Sequence, residues 1–186
     1  KKVLKGIEES LRVGLHPVKV NVVVVRDFNS HELPSFMELA RDNPLHVRFI
    51  ELMPIGISSD KRSEFVSIDE MKEILGLEDA KPIDIQGGGP ANYVTSEGFK
   101  GSIGFISAIS KHFCNTCNRV RLTPDGKLRP CLHSPKETNL RDILRSGKSD
   151  DEIREIIAEV IQQKPAEHHM NDEAWQDTRI MSQIGG

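Results

Sequence analysis

All three cysteines of this chain, Cys114, Cys117 and Cys131, fall within one run from His112 to Ser134, which reads H-F-C-N-T-C-N-R-V-R-L-T-P-D-G-K-L-R-P-C-L-H-S. A close thiolate pair followed by a third across a hairpin-sized gap, C-x2-C-x13-C, is the pattern of a metal or iron-sulfur site whose last ligand arrives by chain reversal. Pro124-Asp125-Gly126 supplies the reversal. Proline fixes its own φ, and glycine takes the left-handed position of a three-residue hairpin loop. Placing Thr123 opposite Lys127 makes paired positions sum to 250. Arg119 then faces Cys131. Side-chain alternation assigns Cys117, Arg119, Arg121, Lys127, Arg129 and Cys131 to one face and Val120, Leu122, Leu128 and Leu132 to the other. The predicted hairpin has an apolar back and a cationic, thiolate-bearing front.

The 186 residues suffice for one ordinary domain or two small pieces sharing an interface. No segment reaches the apolar length of a membrane span, so a cytoplasmic location and no membrane partner are expected. A formal net charge of −3 argues against indiscriminate nucleic-acid binding. Charge is segregated, however. Between Lys111 and Lys136 six basic residues stand against Asp125 alone, whereas Asp150 to Glu159 carries five acids against Arg154. A local basic surface beside thiolates points to a small anionic ligand. Any disulfide would strand one of the three cysteines, so reduced thiolates holding a metal are expected. The first residue is lysine and no leader precedes it, which reads as an excised boundary.

In chain order, Val3, Leu4, Ile7 and Leu11 recur at helical spacing and Gly14 offers a left-handed cap, predicting an amphipathic helix over residues 2–13. Val18 to Val25 is a β-branched run expected to be a strand buried on both faces, interrupted on one by Lys19 and Asn21. Ser30 is placed to cap a helix running to Arg41 or Asp42, which Asn43-Pro44 ends before a second strand, Val47 to Leu52. This is a βαβ unit, and two such strands need neighbours. Either chains pair through them as a homodimer or preceding strands are absent; truncation is the favoured expectation. Ser67 with Glu70 forms a capping-box pattern for a helix to Leu75, closed by Gly76. Ile83 to Gln86, Asn92 to Thr95 and Gly101 to Ser107 predict short antiparallel strands. After the hairpin, Asn139 to Arg145 reads as a short helix. Ser149 with Glu152 caps a longer one that stops before Pro165. The segment from Ala166 to Gly186 is expected to be irregular.

On residues alone the metal stays open. Structural zinc wants four ligands, and His133 or His112 would complete a Cys3His set; an iron-sulfur cluster sits on three cysteines if one iron takes an outside ligand. Arg119 and Arg121 suit bidentate contact with phosphate. The plainer alternative is a strand with solvated charges. Lys19 and Arg48 lie on strands that read as buried, where each needs a carboxylate or a bound anion; a salt bridge, for instance with Glu51, is the plain alternative for both. Gly87-Gly88-Gly89-Pro90 lacks the strand-loop-helix setting and lysine of a P-loop and reads as a turn. His168-His169 reads as solvated tail, and Gly185-Gly186 as a frayed end.

The run F-C-N-T-C-N-R-V-R-L-T-P-D-G-K-L-R-P-C-L, preceded by G-S-I-G-F-I-S and followed by L-R-D-I-L-R-S-G, closely resembles the C-terminal cluster region of the GTP 3′,8-cyclase family of radical S-adenosylmethionine enzymes (molybdenum cofactor biosynthesis protein A). K-V-N-V-V-V, R-F-I-E-L-M-P-I-G, G-G-P-A-N-Y-V, K-P-A-E-H-H and the terminal I-G-G fall in the family's order.

The resemblance implies an α/β fold: the C-terminal part of an incomplete (β/α)6 radical-SAM barrel over residues 1–56, an α+β cluster-binding domain over 57–165, and an extended tail over 166–186. It implies a 4Fe-4S cluster on Cys114, Cys117 and Cys131 whose open iron binds the base of GTP. It further implies that Arg119 and Arg121 hold the nucleotide and serve catalysis, that Lys19 lies near the triphosphate, that Arg48 lines the barrel on the cofactor side, and that Gly185-Gly186 enters the active site. The family's N-terminal C-x3-C-x2-C, which binds a second 4Fe-4S cluster and S-adenosylmethionine, is not in this sequence, so no cyclisation by this chain alone is expected. Asp27 and Phe28 stand where relatives often carry glycine after the first strand seen here. The implied parent is a lyase that converts GTP to 3′,8-cyclo-7,8-dihydro-GTP at the start of molybdopterin synthesis. Its rival is a Cys3His zinc module binding RNA or a protein partner.

Overall fold

The computed structural model describes residues 2–55, 62–87, 89–170 and 179–184. Its contacts divide the chain into two compact units: Lys1–Leu52 with Ser63–His112, and Met53–Arg62 with Phe113–Gly186.

The first unit is a mixed α/β layer. Helix α1 (Lys2–Arg12) leads through Gly14, at φ 77°, to strand β1 (Val18–Val24). A 3-10 turn at Ser30–Glu32 and helix α2 (Leu33–Asp42) carry the chain to β2 (Leu45–Glu51), which lies parallel to β1 with Val20 opposite Val47. Helix α3 (Ile68–Leu75) is followed by β3 (Lys81–Ile83), β4 (Asn92–Thr95) and β5 (Ser102–Ile106). Strand β4 runs antiparallel to both β3 and β5, as expected, but β3 ends at Ile83, where the predicted strand Ile83 to Gln86 begins. Strand β5 pairs parallel with β2, so one open sheet runs in the order β1-β2-β5-β4-β3. The units therefore do not follow a boundary at residue 56: β3 to β5 complete the sheet that β1 and β2 begin.

Neither β1 nor β2 is buried on both faces, which corrects the reading of their β-branched runs. Burial alternates strictly along β2, and along β1 from Asn21 onward. Val22, Val24, Leu45, Val47, Phe49, Ile103 and Phe105 point into a core shared with Leu33, Ala40, Met71 and Leu75. The opposite face carries Lys19, Asn21, His46, Arg48, Ser102 and Tyr93, because residues two apart share a face of the pleat.

Local signals explain the element ends. Ser67 Oγ accepts from the Glu70 amide and Gly76 closes α3 at φ 61°. The Glu70 carboxylate does not reach back to complete the box. It pairs with both terminal nitrogens of Arg26 at 2.6 and 2.7 Å. Ser30 caps nothing; Asn29 accepts from Val25 N at 2.8 Å and donates to Val23 O at 2.9 Å, shaping the turn ahead of α2. Asp27 adopts φ 60°, the left-handed conformation that glycine tolerates best.

The second unit holds a hairpin and two helices. Strands β6 (Arg121–Leu122) and β7 (Leu128–Arg129) pair Arg121 with Arg129 and Leu122 with Leu128. Both pairs sum to 250, the register predicted from the turn. Helix α4 (Leu140–Arg145) follows, and α5 (Asp150–Gln162) begins with a complete capping box between Ser149 and Glu152. The predicted apolar back is only partly buried: Leu128 is enclosed, whereas Val120 and Leu122 are exposed. Met170 and Ile184 are buried, so the segment after α5 is less solvated than its composition implied.

Candidate metal centre

Cys114 to Thr116 form a 3-10 turn, in which the Cys117 amide donates to Cys114 O at 3.1 Å. This turn brings the two sulfurs of C-x2-C to one side. The hairpin returns Cys131 to them. All three thiols are free and half-buried. Burial pushes the Cys114 thiol up; the His168 amide opposes this, and the negative charges of Cys131 and Cys117 push it up further. For Cys117 burial acts in the same direction, but hydrogen bonds from the Arg119 amide and the Lys164 ammonium outweigh it and the net shift is downward. Cys117 is thus the readier thiolate of the two. Among the described residues, the ligand atoms that lie within 4.8 Å of one another are those of Cys114, His112 and His168.

Cations surround the cysteines. Arg121 is half-buried, and its guanidinium is held below its ordinary value by burial and by Arg119 and Arg129, against the attraction of the Cys131 and Cys117 thiolates. Arg119 stacks on the Phe113 ring at 5.6 Å and is otherwise exposed. Lys164 donates to Cys117 O at 2.7 Å, to Arg119 O at 2.8 Å and to Cys117 Sγ at 3.3 Å.

Arg129 departs from the predicted cationic front. It is fully enclosed, donates through Nε to Ser134 O at 2.9 Å and lies 3.7 Å from Glu137. Lys127 likewise pairs with Glu137, at 3.2 Å, and with Asp125. Alternation puts both on the expected side, but the chain after Cys131 folds over that side.

Two histidines behave differently from expectation. His133 is buried and its Nε2 accepts a hydrogen bond from the His169 amide at 3.2 Å. His168 is buried rather than solvated, with a ring nitrogen within 4.8 Å of Cys114 Sγ and Nδ1 receiving the Met170 amide at 3.4 Å. Sequence reasoning missed Lys164 and His168 as neighbours of the cysteines. The signal was K-P-A-E-H-H, which carries both residues just after helix α5 ends at Gln162.

The other expected site residues belong to the first unit. Lys19 donates to Gln86 O at 2.7 Å and stands 5.8 Å from the centre of the Tyr93 ring. Arg48 donates to Asn21 Oδ1 at 2.6 Å. It does not pair with Glu51, because residues three apart on a strand face opposite sides. Glu51 is fully buried and receives Ile68 N at 3.0 Å, Ile109 N at 2.8 Å, Ser110 N at 2.9 Å and the Ser110 hydroxyl. Gly185 and Gly186 lie outside the described residues.

Residues 45–170 match the family model described as Molybdenum Cofactor Synthesis C. The chain belongs to this family. Among similar family proteins are those named GTP 3′,8-cyclase from Heliobacterium modesticaldum, 53% identical over 97% of this chain and 57% of that protein, and from Desulforamulus reducens, 47% identical over 99% and 58%. The protein of the same name from Moorella thermoacetica is 47% identical over 99% of this chain and 57% of its own length. The chain thus spans somewhat more than half the length of these relatives. No helix among the described residues is long and apolar enough to cross a membrane.

Proposed function

We propose that this chain is the substrate-side portion of a GTP 3′,8-cyclase, with Cys114, Cys117 and Cys131 holding a 4Fe-4S cluster and GTP as the ligand. In this reading the sheet of the first unit is the end of an incomplete radical-SAM barrel. The observation that carries the proposal is the assembly of three free thiols with Arg119, Arg121 and Lys164 in one unit. Three thiolates with no disulfide leave a fourth cluster position without a protein ligand. When bound there, such a cluster would supply an iron able to take a nucleobase donor atom.

The chain's own residues contribute binding and electrostatics. Arg119 is exposed and Arg121 half-buried, so both guanidinium groups offer planar donor forks to an anion. Lys19 and Arg48 project from the polar face of the first unit, where each is held by an uncharged acceptor, Gln86 O and Asn21 Oδ1 respectively. Neither is committed to a carboxylate through these contacts, and both suit the triphosphate. The Gly185-Gly186 tail is assigned to the same active site. Hydrogen abstraction from the ribose is assigned to S-adenosylmethionine and a second cluster, whose cysteines are not among the three of this sequence. Reduced thiols accord with a cytoplasmic location.

The test is the metal and sulfide content of anaerobically reconstituted protein, followed by its EPR spectrum with GTP. Iron and sulfide that disappear in Cys131→Ala, with a spectrum altered by GTP, support the reading. Zinc without sulfide, or a loaded cluster indifferent to GTP, overturns it.

A further inference from the structure

Lys164 follows helix α5, whose C-cap is Gln163, and precedes Pro165, which cannot continue a helix. Its ammonium has three protons and makes three hydrogen bonds, to Cys117 O, Arg119 O and Cys117 Sγ. The two carbonyls bracket Asn118 in a stretch, Cys117 to Val120, that belongs to no helix or strand. Strand pairing begins only at Arg121. What fixes the backbone between a cysteine and the arginine two residues on is therefore a side chain from 47 residues away.

The charge balance leads further. Lys164 is half-buried, and among the described residues no carboxylate pairs with it. Two of its acceptors are neutral carbonyls. Among its acceptors in the described residues, the Cys117 sulfur alone can carry a charge. A donor and a positive charge at a ligand sulfur stabilise whichever state of a bound cluster carries more negative charge, namely the reduced one.

We propose that Lys164 is a positioning residue of the cysteine site, which raises the reduction potential of the cluster held there and holds Arg119 in place. The proposal rests on the iron-sulfur reading above. It assigns to one side chain two properties that would otherwise be independent, the potential of the metal group and the order of the arginine loop.

The experiment uses the whole 186-residue chain, reconstituted anaerobically, with Lys164→Met, Lys164→Gln and Lys164→Arg compared with wild type. The readouts are iron and sulfide content, the midpoint potential from an EPR-monitored titration, and hydrogen exchange at the Cys117 and Arg119 amides in metal-free protein. The neutral variants are expected to shift the potential to more negative values and to exchange faster at both amides. Lys164→Arg, which keeps the charge, is expected to remain near wild type in potential. Should the methionine variant fail to fold, the glutamine variant carries the comparison. A neutral variant that folds but loads no cluster, while Lys164→Arg loads, supports the positioning role. A loaded neutral variant with the wild-type potential overturns the proposal and leaves the cluster reading intact. Wild-type protein that takes up no iron and sulfide overturns both.

Discussion

At Gly101 the absence of a side chain is a steric requirement. A Cβ there would lie 1.8 Å from Leu45 O and within 2.9 Å of the Asn43 and Ala40 carbonyls, all backbone atoms that cannot swing aside. Gly101→Ala is expected to cost about 3 kcal/mol of stability, at the upper end of overpacking effects, as read from chemical denaturation. Asp125, in the hairpin turn, illustrates a charge effect. Arg179 grips its two carboxylate oxygens at 3.2 and 3.0 Å and holds the carboxyl well below its ordinary value. A folded pKa below the unfolded one means that the pair stabilises the fold at neutral pH. The contribution is present above about pH 4 and is lost as pH falls below it. Urea midpoints measured down through this range are expected to fall more steeply in wild type than in Asp125→Asn.

Among the elements, Glu51 does the most to join pieces of the first unit. From the end of β2 it satisfies the first helical amide of α3 and two amides after β5, all distant in sequence. A buried carboxylate with this many donors works as a bracket, and removing it strands the buried Ile68 amide and frees those of Ile109 and Ser110. Glu51→Ala is expected to destabilise the protein by about 3 kcal/mol in denaturant titration. Ser67→Ala, which removes only the cap of α3, is expected to cost about 1 kcal/mol. The contrast would separate helix capping from the bracket. Helix α1 relies less on its apolar stripe: Ile7 and Leu11 pack on the core, but Val3 and Leu4 are exposed.

At the scale of the whole molecule, the two units differ in how they are stabilised. The sheet unit has a continuous core on one face. Among the described residues the second unit encloses few large apolar side chains, chiefly Ile55, Leu128, Val160, Met170 and Ile184. Small units of this kind commonly depend on metal or cross-links. On the 4Fe-4S reading proposed above, stripping iron and sulfide from reconstituted protein with a chelator is expected to speed hydrogen exchange at Leu128 and Thr138, which bond to one another, while β2 and β5 amides keep their protection. Equal loss of protection in both units would refute this division of stability.

Much of this protein was legible along the chain because the governing interactions are local. The hairpin register followed from Pro124-Asp125-Gly126, the start and stop of α3 from Ser67 and Gly76, and the βαβ unit from its β-branched runs. Each depends on residues a few positions apart. The three cysteines suggested a metal site in the same way, and the 4Fe-4S reading proposed above rests on them. The tertiary structure alone decided which partners those residues meet. It gave Glu51 the amides of Ile109 and Ser110, and brought Lys164 to the Cys117 sulfur and His168 to that of Cys114. These outcomes depend on contacts across tens of residues, where periodicity carries no information and only the packing of whole elements selects the neighbour.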